Sequence, residues 1–175
     1  MIIRSSLLAC LVLAGAASGC GGSQGGAAGD PLSDDEARTL CEDICDHFVA
    51  CGWATDLTAC IADCRADSGM FRGQGYRDWG ECLIAASCDD TSAGEACYVD
   101  VVGSLDTRDV HEEYGTRCAA LAETCPDVVL PSGVCDLDQV LLFSDDYMQT
   151  SVLPCFDLAC ASVAACLEEN VLDAF

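Results

Sequence analysis

Apolar positions recur along most of this chain at the three- and four-residue intervals of an α-helix, and almost nowhere at the alternation of a strand. The clearest run is Ala37, Leu40, Cys41, Ile44, Cys45 and Phe48, one apolar stripe bounded by polar residues. Ser33-Asp34-Asp35-Glu36 precedes it as a capping box, and Gly52 follows Cys51 as a C-terminal cap. A second helix is predicted from about Asp56 to Asp67, with Cys60, Ile61 and Cys64 along one side. After a glycine-containing loop over Ser68 to Gly75, a third helix over Tyr76 to Ser87 presents Trp79, Cys82, Leu83 and Ala86. Ser92 and Glu95 suggest another capping box before a helix to about Leu105. Asp106 to Cys125 is the longest candidate, with Tyr114, Cys118, Leu121 and Cys125 at heptad-like spacing and Pro126 just past its end. Ser132 is expected to cap a helix to about Phe143, and Pro154 to open a last one running to about Glu169. The only short apolar run outside a helix is Asp127 to Leu130.

The first thirty residues follow a different pattern. Arg4 is a positive n-region, Leu7 to Ala17 a short apolar run, and Ala17-Ser18-Gly19 a small-residue cleavage site. This is the layout of a signal peptide over residues 1–19, too short to span a bilayer. Cys20 follows at once. Ala17-Ser18-Gly19-Cys20 resembles the lipobox of bacterial lipoproteins, which implies cleavage and acylation at Cys20. It departs from the common pattern, which has Leu first, and cleavage without lipid is the alternative. Gly21 to Asp30 is a glycine-rich tether, so residues 20–31 form an acylated anchor and linker with a reach of roughly 17–19 Å. Gly21 after the anchor resembles sorting to the outer membrane. The expected address is therefore the cell envelope, with the membrane as partner through the lipid.

Cysteine changes the picture most. The chain has 16 cysteines. Loss of Cys10 with the signal peptide and acylation of Cys20 leave fourteen, the even number that a closed disulfide set needs in an exported protein. From Cys45 through Cys51, Cys60, Cys82 and Cys88 to Cys97 the steps are 6, 9, 22, 6 and 9. From Cys118 through Cys125, Cys135, Cys155 and Cys160 to Cys166 they are 7, 10, 20, 5 and 6. We read two six-cysteine helical units, 32–105 and 106–175, the first with an added pair, Cys41 and Cys64; chance agreement of intervals is the alternative. The fold class expected is an all-α, disulfide-rich bundle.

Geometry suggests pairings. Cys41-x3-Cys45 and Cys60-x3-Cys64 each put two cysteines on one helix face, so an antiparallel hairpin gives Cys41–Cys64 and Cys45–Cys60. Cys155, Cys160 and Cys166 are expected on one helix, where their Cα atoms lie about 7.5–16 Å apart, beyond disulfide reach, so each pairs outside it and, in a closed unit, with Cys118, Cys125 and Cys135. Antiparallel helices would then give Cys118–Cys166, Cys125–Cys160 and Cys135–Cys155. The two schemes treat the units differently, so the repeat is imperfect or a detail fails. Residues 41–64 resemble the twin C-x3-C and α-hairpinin hairpins. The lipobox-like start, the tether, the missing lysine and phrases such as Cys41-Glu42-Asp43-Ile44-Cys45 resemble the cysteine-rich lipoproteins abundant in myxobacteria, a likeness that implies an address and little chemistry.

Charge and motifs limit function. Thirty acids against 7 arginines give a net charge of -23. Nucleic acid and anionic lipid surfaces are disfavoured as partners; the acidity reads first as solubility of an exported surface, and as a binding face for cations or a basic protein partner in the alternative. Aromatics are only 6%, so the core is thin and the bridges matter. The main rival to disulfides is a thiolate store for Cu(I). Cys41, Cys45, Cys60, Cys64, Cys82 and Cys88 at helical spacing resemble the exported copper-storage four-helix proteins. Zinc of the C-x2-C type has no motif, and Asp89 to Asp100 fails as a calcium loop because Ala93 and Cys97 stand at ligand positions. No cofactor is expected. His47 reads as a boundary residue and His111, within Asp109-Val110-His111-Glu112-Glu113, as a solvated one. Outside the glycine-rich tether no G-x-S-x-G elbow occurs, and no H-E-x-x-H or C-x-x-C occurs anywhere, so no catalytic residue is assigned. The expectation is a non-enzymatic structural or protein-binding module.

Overall fold

A computed structural model describes residues 31–172. The signal peptide, Cys10, Cys20, Gly21 and most of the tether lie outside the described residues, as do 173–175. The described chain is all-α: seven α-helical segments and no strand, with seven disulfides. No helix among the described residues is long and apolar enough to cross a membrane.

Helix α1 (Asp34–Cys51) starts where the sequence places it. Ser33 Oγ accepts the Glu36 N–H, and the Glu36 carboxylate accepts from the Ser33 N–H at 3.2 Å. Gly52 closes the helix at φ 73°, a left-handed conformation that glycine takes without strain. Helix α2 (Leu57–Ser68) is capped by Asp56, whose side chain accepts the Ala59 N–H at 3.0 Å. The α1–α2 hairpin carries Cys41–Cys64 and Cys45–Cys60, as the twin spacing implies. Helix α3 (Gly73–Ala85) begins three residues earlier than periodicity suggests. Gly75 and Gly80 are packing positions rather than loop breakers. A Cβ at Gly75 would meet Leu142 Cδ1 at 2.7 Å, and one at Gly80 would meet Ile44 Cδ1 at 2.8 Å. Helix α4 (Ala93–Val102) lacks the capping box expected of Ser92. The Ser92 hydroxyl turns back to the Asp90 carboxylate at 2.7 Å, an Asx turn that competes with the cap. Cys82–Cys97 ties α3 to α4, and Cys51–Cys88 ties the end of α1 to the turn after α3.

The second half departs further. Helix α5 (Asp109–Thr124) buries Val110, Tyr114, Cys118 and Leu121. The helix expected up to Phe143 does not form; only a single 3-10 turn, Leu137–Gln139, lies there. The chain instead doubles back along α5, and Tyr114 Oη donates to the Val134 carbonyl. That return brings Cys135 to Cys118, 17 residues away, in place of the expected Cys118–Cys166. The last helix is also broken. α6 (Asp145–Tyr147) continues as a π segment over Met148–Val152 and a 3-10 segment over Leu153–Asp157. Leu158 and Ala159 are extended, and α7 (Cys160–Leu167) folds back before a final π turn over Glu168–Leu172. The reversal places Cys166 against Cys155, so Cys155–Cys166 replaces the expected Cys135–Cys155. Cys125–Cys160 forms as expected.

No disulfide joins residues 41–97 to residues 118–166, yet one hydrophobic cluster runs from Cys41 to Val171. The seam is closed without covalent bonds. Phe71 and Phe143 stack at 5.5 Å and 9°, joined by an isolated antiparallel bridge. The Arg72 N–H donates to the Leu142 carbonyl at 2.8 Å, and the Ser144 N–H to the Met70 carbonyl at 2.9 Å. The Arg72 side chain is buried in this seam. Its Nη1 donates to the carbonyls of Asp106 at 2.9 Å and Leu141 at 3.3 Å, and Nη2 binds the Asp106 carboxylate.

His111 is fully buried beside the seam, not solvated. One turn of α5 points it inward with Val110 and Tyr114, away from its acidic sequence neighbours. Its Nδ1 accepts the Arg108 N–H at 3.2 Å. Burial, then the charge of Arg72, push its pKa below the ordinary 6.5, against a smaller opposite pull from the Phe143 backbone. The unfolded ring therefore takes a proton before the folded one. Stability from this group is complete above about pH 6.5 and falls as the pH drops toward the lower folded value. Unfolding free energy should decline between about pH 7 and pH 5, and His111→Gln should flatten that decline. Guanidinium titrations of both proteins across this range test it; parallel profiles would remove His111 as the cause.

Candidate binding groove

Both tryptophans of the chain line one surface groove, built mainly on the first four helices and completed by Gln139 and Leu172. Trp79 projects from α3 and packs against Tyr76 at 5.8 Å between ring centroids. Its Nε1 donates to the Gly94 carbonyl at 3.4 Å. Trp53 follows the α1 cap, meets Phe48 edge-on at 5.4 Å and donates to the Cys88 carbonyl at 3.2 Å. Each indole is thus fixed by a backbone acceptor while its ring stays partly accessible.

The groove consists of three linked recesses of about 240, 300 and 370 Å³. The first two share Phe48 and Leu83, the first and third share Trp79, and the second and third share Gly94. The floor is apolar and aromatic. The charged residues at its edge are Asp63, Asp67, Asp90 and Glu95, and none of the residues lining the three recesses is basic. Burial and the neighbouring charge of Asp63 raise the Asp67 pKa, so this carboxylate lacks a compensating cation. Asp90 is held low by hydrogen bonds from Ser92. Fixed aromatic rings beside uncompensated carboxylates suit a ligand with both apolar and cationic groups.

Of the cysteines singled out in the sequence, Cys60 and Cys64 line the first recess. All fourteen cysteines among the described residues are in disulfides, so the six considered for Cu(I) are paired sulfurs here, not thiolates. His111 lies in the seam. His47 is half-buried, stands edge-on to Trp53 at 5.5 Å and touches Cys51 Sγ at the groove's end. Seven disulfides fit an exported protein. The groove was not legible beforehand. Its one signal was that two tryptophans, both in the first half, stand in a chain poor in aromatics. No protein-family model, curated protein or solved structure matches the chain.

Proposed function

We propose that the protein is a lipid-anchored, extracytoplasmic, non-enzymatic binding module whose groove takes a basic, amphipathic segment of a partner protein. The observation that carries this reading is the groove itself, with both tryptophans on its floor and only acids at its edge. The disulfides suit it, because a stapled surface loses little entropy on binding. The anchor is Cys20 in Ala17-Ser18-Gly19-Cys20, with outer-membrane sorting implied by Gly21. A net charge of -23 is repelled by anionic headgroups, so attachment rests on the acyl chain rather than on the domain surface. The reading as a Cu(I) store is disfavoured by the pairing of every described cysteine.

The test uses the acylated protein in detergent and an amphipathic Arg/Leu peptide, followed by tryptophan fluorescence. Saturable binding is expected, weakening as salt rises. Trp79→Ala should weaken it at least about tenfold, the loss of an interface anchor. Equal binding of a peptide with glutamine in place of arginine would overturn the proposal, as would native affinity in Trp79→Ala.

A further inference from the structure

We infer that the Cys51–Cys88 disulfide opens in the folded protein and that its reduced form, with His47, is a three-donor site for zinc. A ring nitrogen of His47 and the two sulfurs all lie within 4.8 Å of one another. His47 Nε2 is 3.5 Å from Cys51 Sγ, because the two residues are one helical turn apart on α1. The Cα atoms of Cys51 and Cys88 are 4.8 Å apart. Once opened, the sulfurs can separate by rotation about χ1 to the spacing of about 3.5–4 Å that donors around one tetrahedral zinc require. Cys88 sits in the turn after α3, where the backbone can adjust.

Access and leaving group single out this bridge. Among the fourteen paired cysteines only Cys88 and Cys160 are exposed. Attack at Cys88 expels Cys51, whose Sγ lies 3.5 Å from His47 Nε2, a nitrogen that carries a donatable proton in one of its two tautomers. Attack at Cys160 would expel Cys125, which is buried, so its thiolate would develop away from solvent. The reductant is a dithiol. One of its thiolates bonds to Cys88 Sγ as the Cys51–Cys88 bond breaks, and the electron pair leaves on Cys51 Sγ, which takes up a proton. The second thiol of the reductant, on deprotonation, displaces Cys88, so the dithiol becomes a disulfide and the two cysteines become thiols. Zinc then displaces both thiol protons and takes the neutral imidazole, leaving its fourth position open. The hairpin and the α3–α4 pair keep their own bridges throughout. The inference does not depend on what occupies the groove.

The folded protein is treated without oxygen with one equivalent of dithiothreitol, with and without Zn(II), and free thiols are then alkylated and mapped by mass spectrometry. Cys51 and Cys88 should be the first pair labelled, and Zn(II) should protect both at one ion per chain. His47→Ala should still open but bind Zn(II) more than about 100-fold more weakly, since even a group that only orients a ligand is worth about 10–100-fold. Co(II) should give the visible bands of a tetrahedral thiolate site in the native protein and not in the variant. The inference is overturned if another pair is labelled first, if Zn(II) leaves labelling unchanged, or if His47→Ala binds Zn(II) as tightly as the native protein.

Discussion

Arg72→Ala is expected to lower the unfolding free energy by about 3–8 kcal/mol, although the substitution touches no disulfide. Two losses combine. Removing the side chain leaves a cavity in the Phe71–Phe143 seam, which for a large buried residue costs about 2–5 kcal/mol. It also strips the Leu141 carbonyl of its donor, at about 1–3 kcal/mol. Arg72→Met separates these, because it keeps most of the volume and loses only the polar part. The ion pair with Asp106 is left out of this sum, since the carboxylate is open to solvent and screened there. The effect is large because the seam has no covalent substitute: four disulfides lie on one side of it and three on the other. Guanidinium unfolding measures the loss, and amide exchange should quicken first at Arg72 and Ser144, whose N–H groups close the clip. A loss below about 1 kcal/mol for Arg72→Ala would mean that the apolar stack alone holds the halves together.

The first hairpin was legible in the sequence because its signals are local. A capping box, a glycine after the last turn and cysteines four apart all act within one or two turns, and each recurs in the structure at the same residues. The last thirty residues were not legible, because periodicity cannot see a break that preserves phase. Val152 and Val163 are both buried, and a separation of eleven is three helical turns, so one straight helix and the observed reversal bury the same positions. The cysteines held the contrary information. On a straight helix Cys155 and Cys166 would be about 16 Å apart, whereas their Cα atoms lie 5.5 Å apart. Excluding that pair followed correctly from a wrong premise. His111 failed differently. Its sequence neighbours are acidic, but helical direction, not neighbourhood, decides what a side chain meets, and Val110 and Tyr114 point where it points. The groove depends on the packing of the first four helices with Gln139 and Leu172 around Trp79, which no local signal encodes.

The same irregular C-terminal segment makes the Cys125–Cys160 bridge the disulfide of the second half with the most to lose. Cys125→Ala combined with Cys160→Ser should cost about 4 kcal/mol. The closed loop spans 35 residues, and loop closure of that length removes about this much from the unfolded chain. The figure for Cys118–Cys135, with 17 residues, is about 3 kcal/mol by the same relation. Local structure offers little in compensation. α7 has eight residues, too few to persist alone, and it is flanked by 3-10 and π turns whose hydrogen bonds are individually weaker. What remains after the bridge is lost is Cys155–Cys166, which closes the segment on itself without fastening it to α5, and the burial of Val163, Leu167 and Val171. The variant should therefore release α7 before the rest unfolds, seen as fast exchange of its amides while α1 and α2 stay protected. If the double substitution costs less than about 1 kcal/mol and α7 stays protected, those three side chains are sufficient to dock the segment, and the bridge only records a contact that packing already makes.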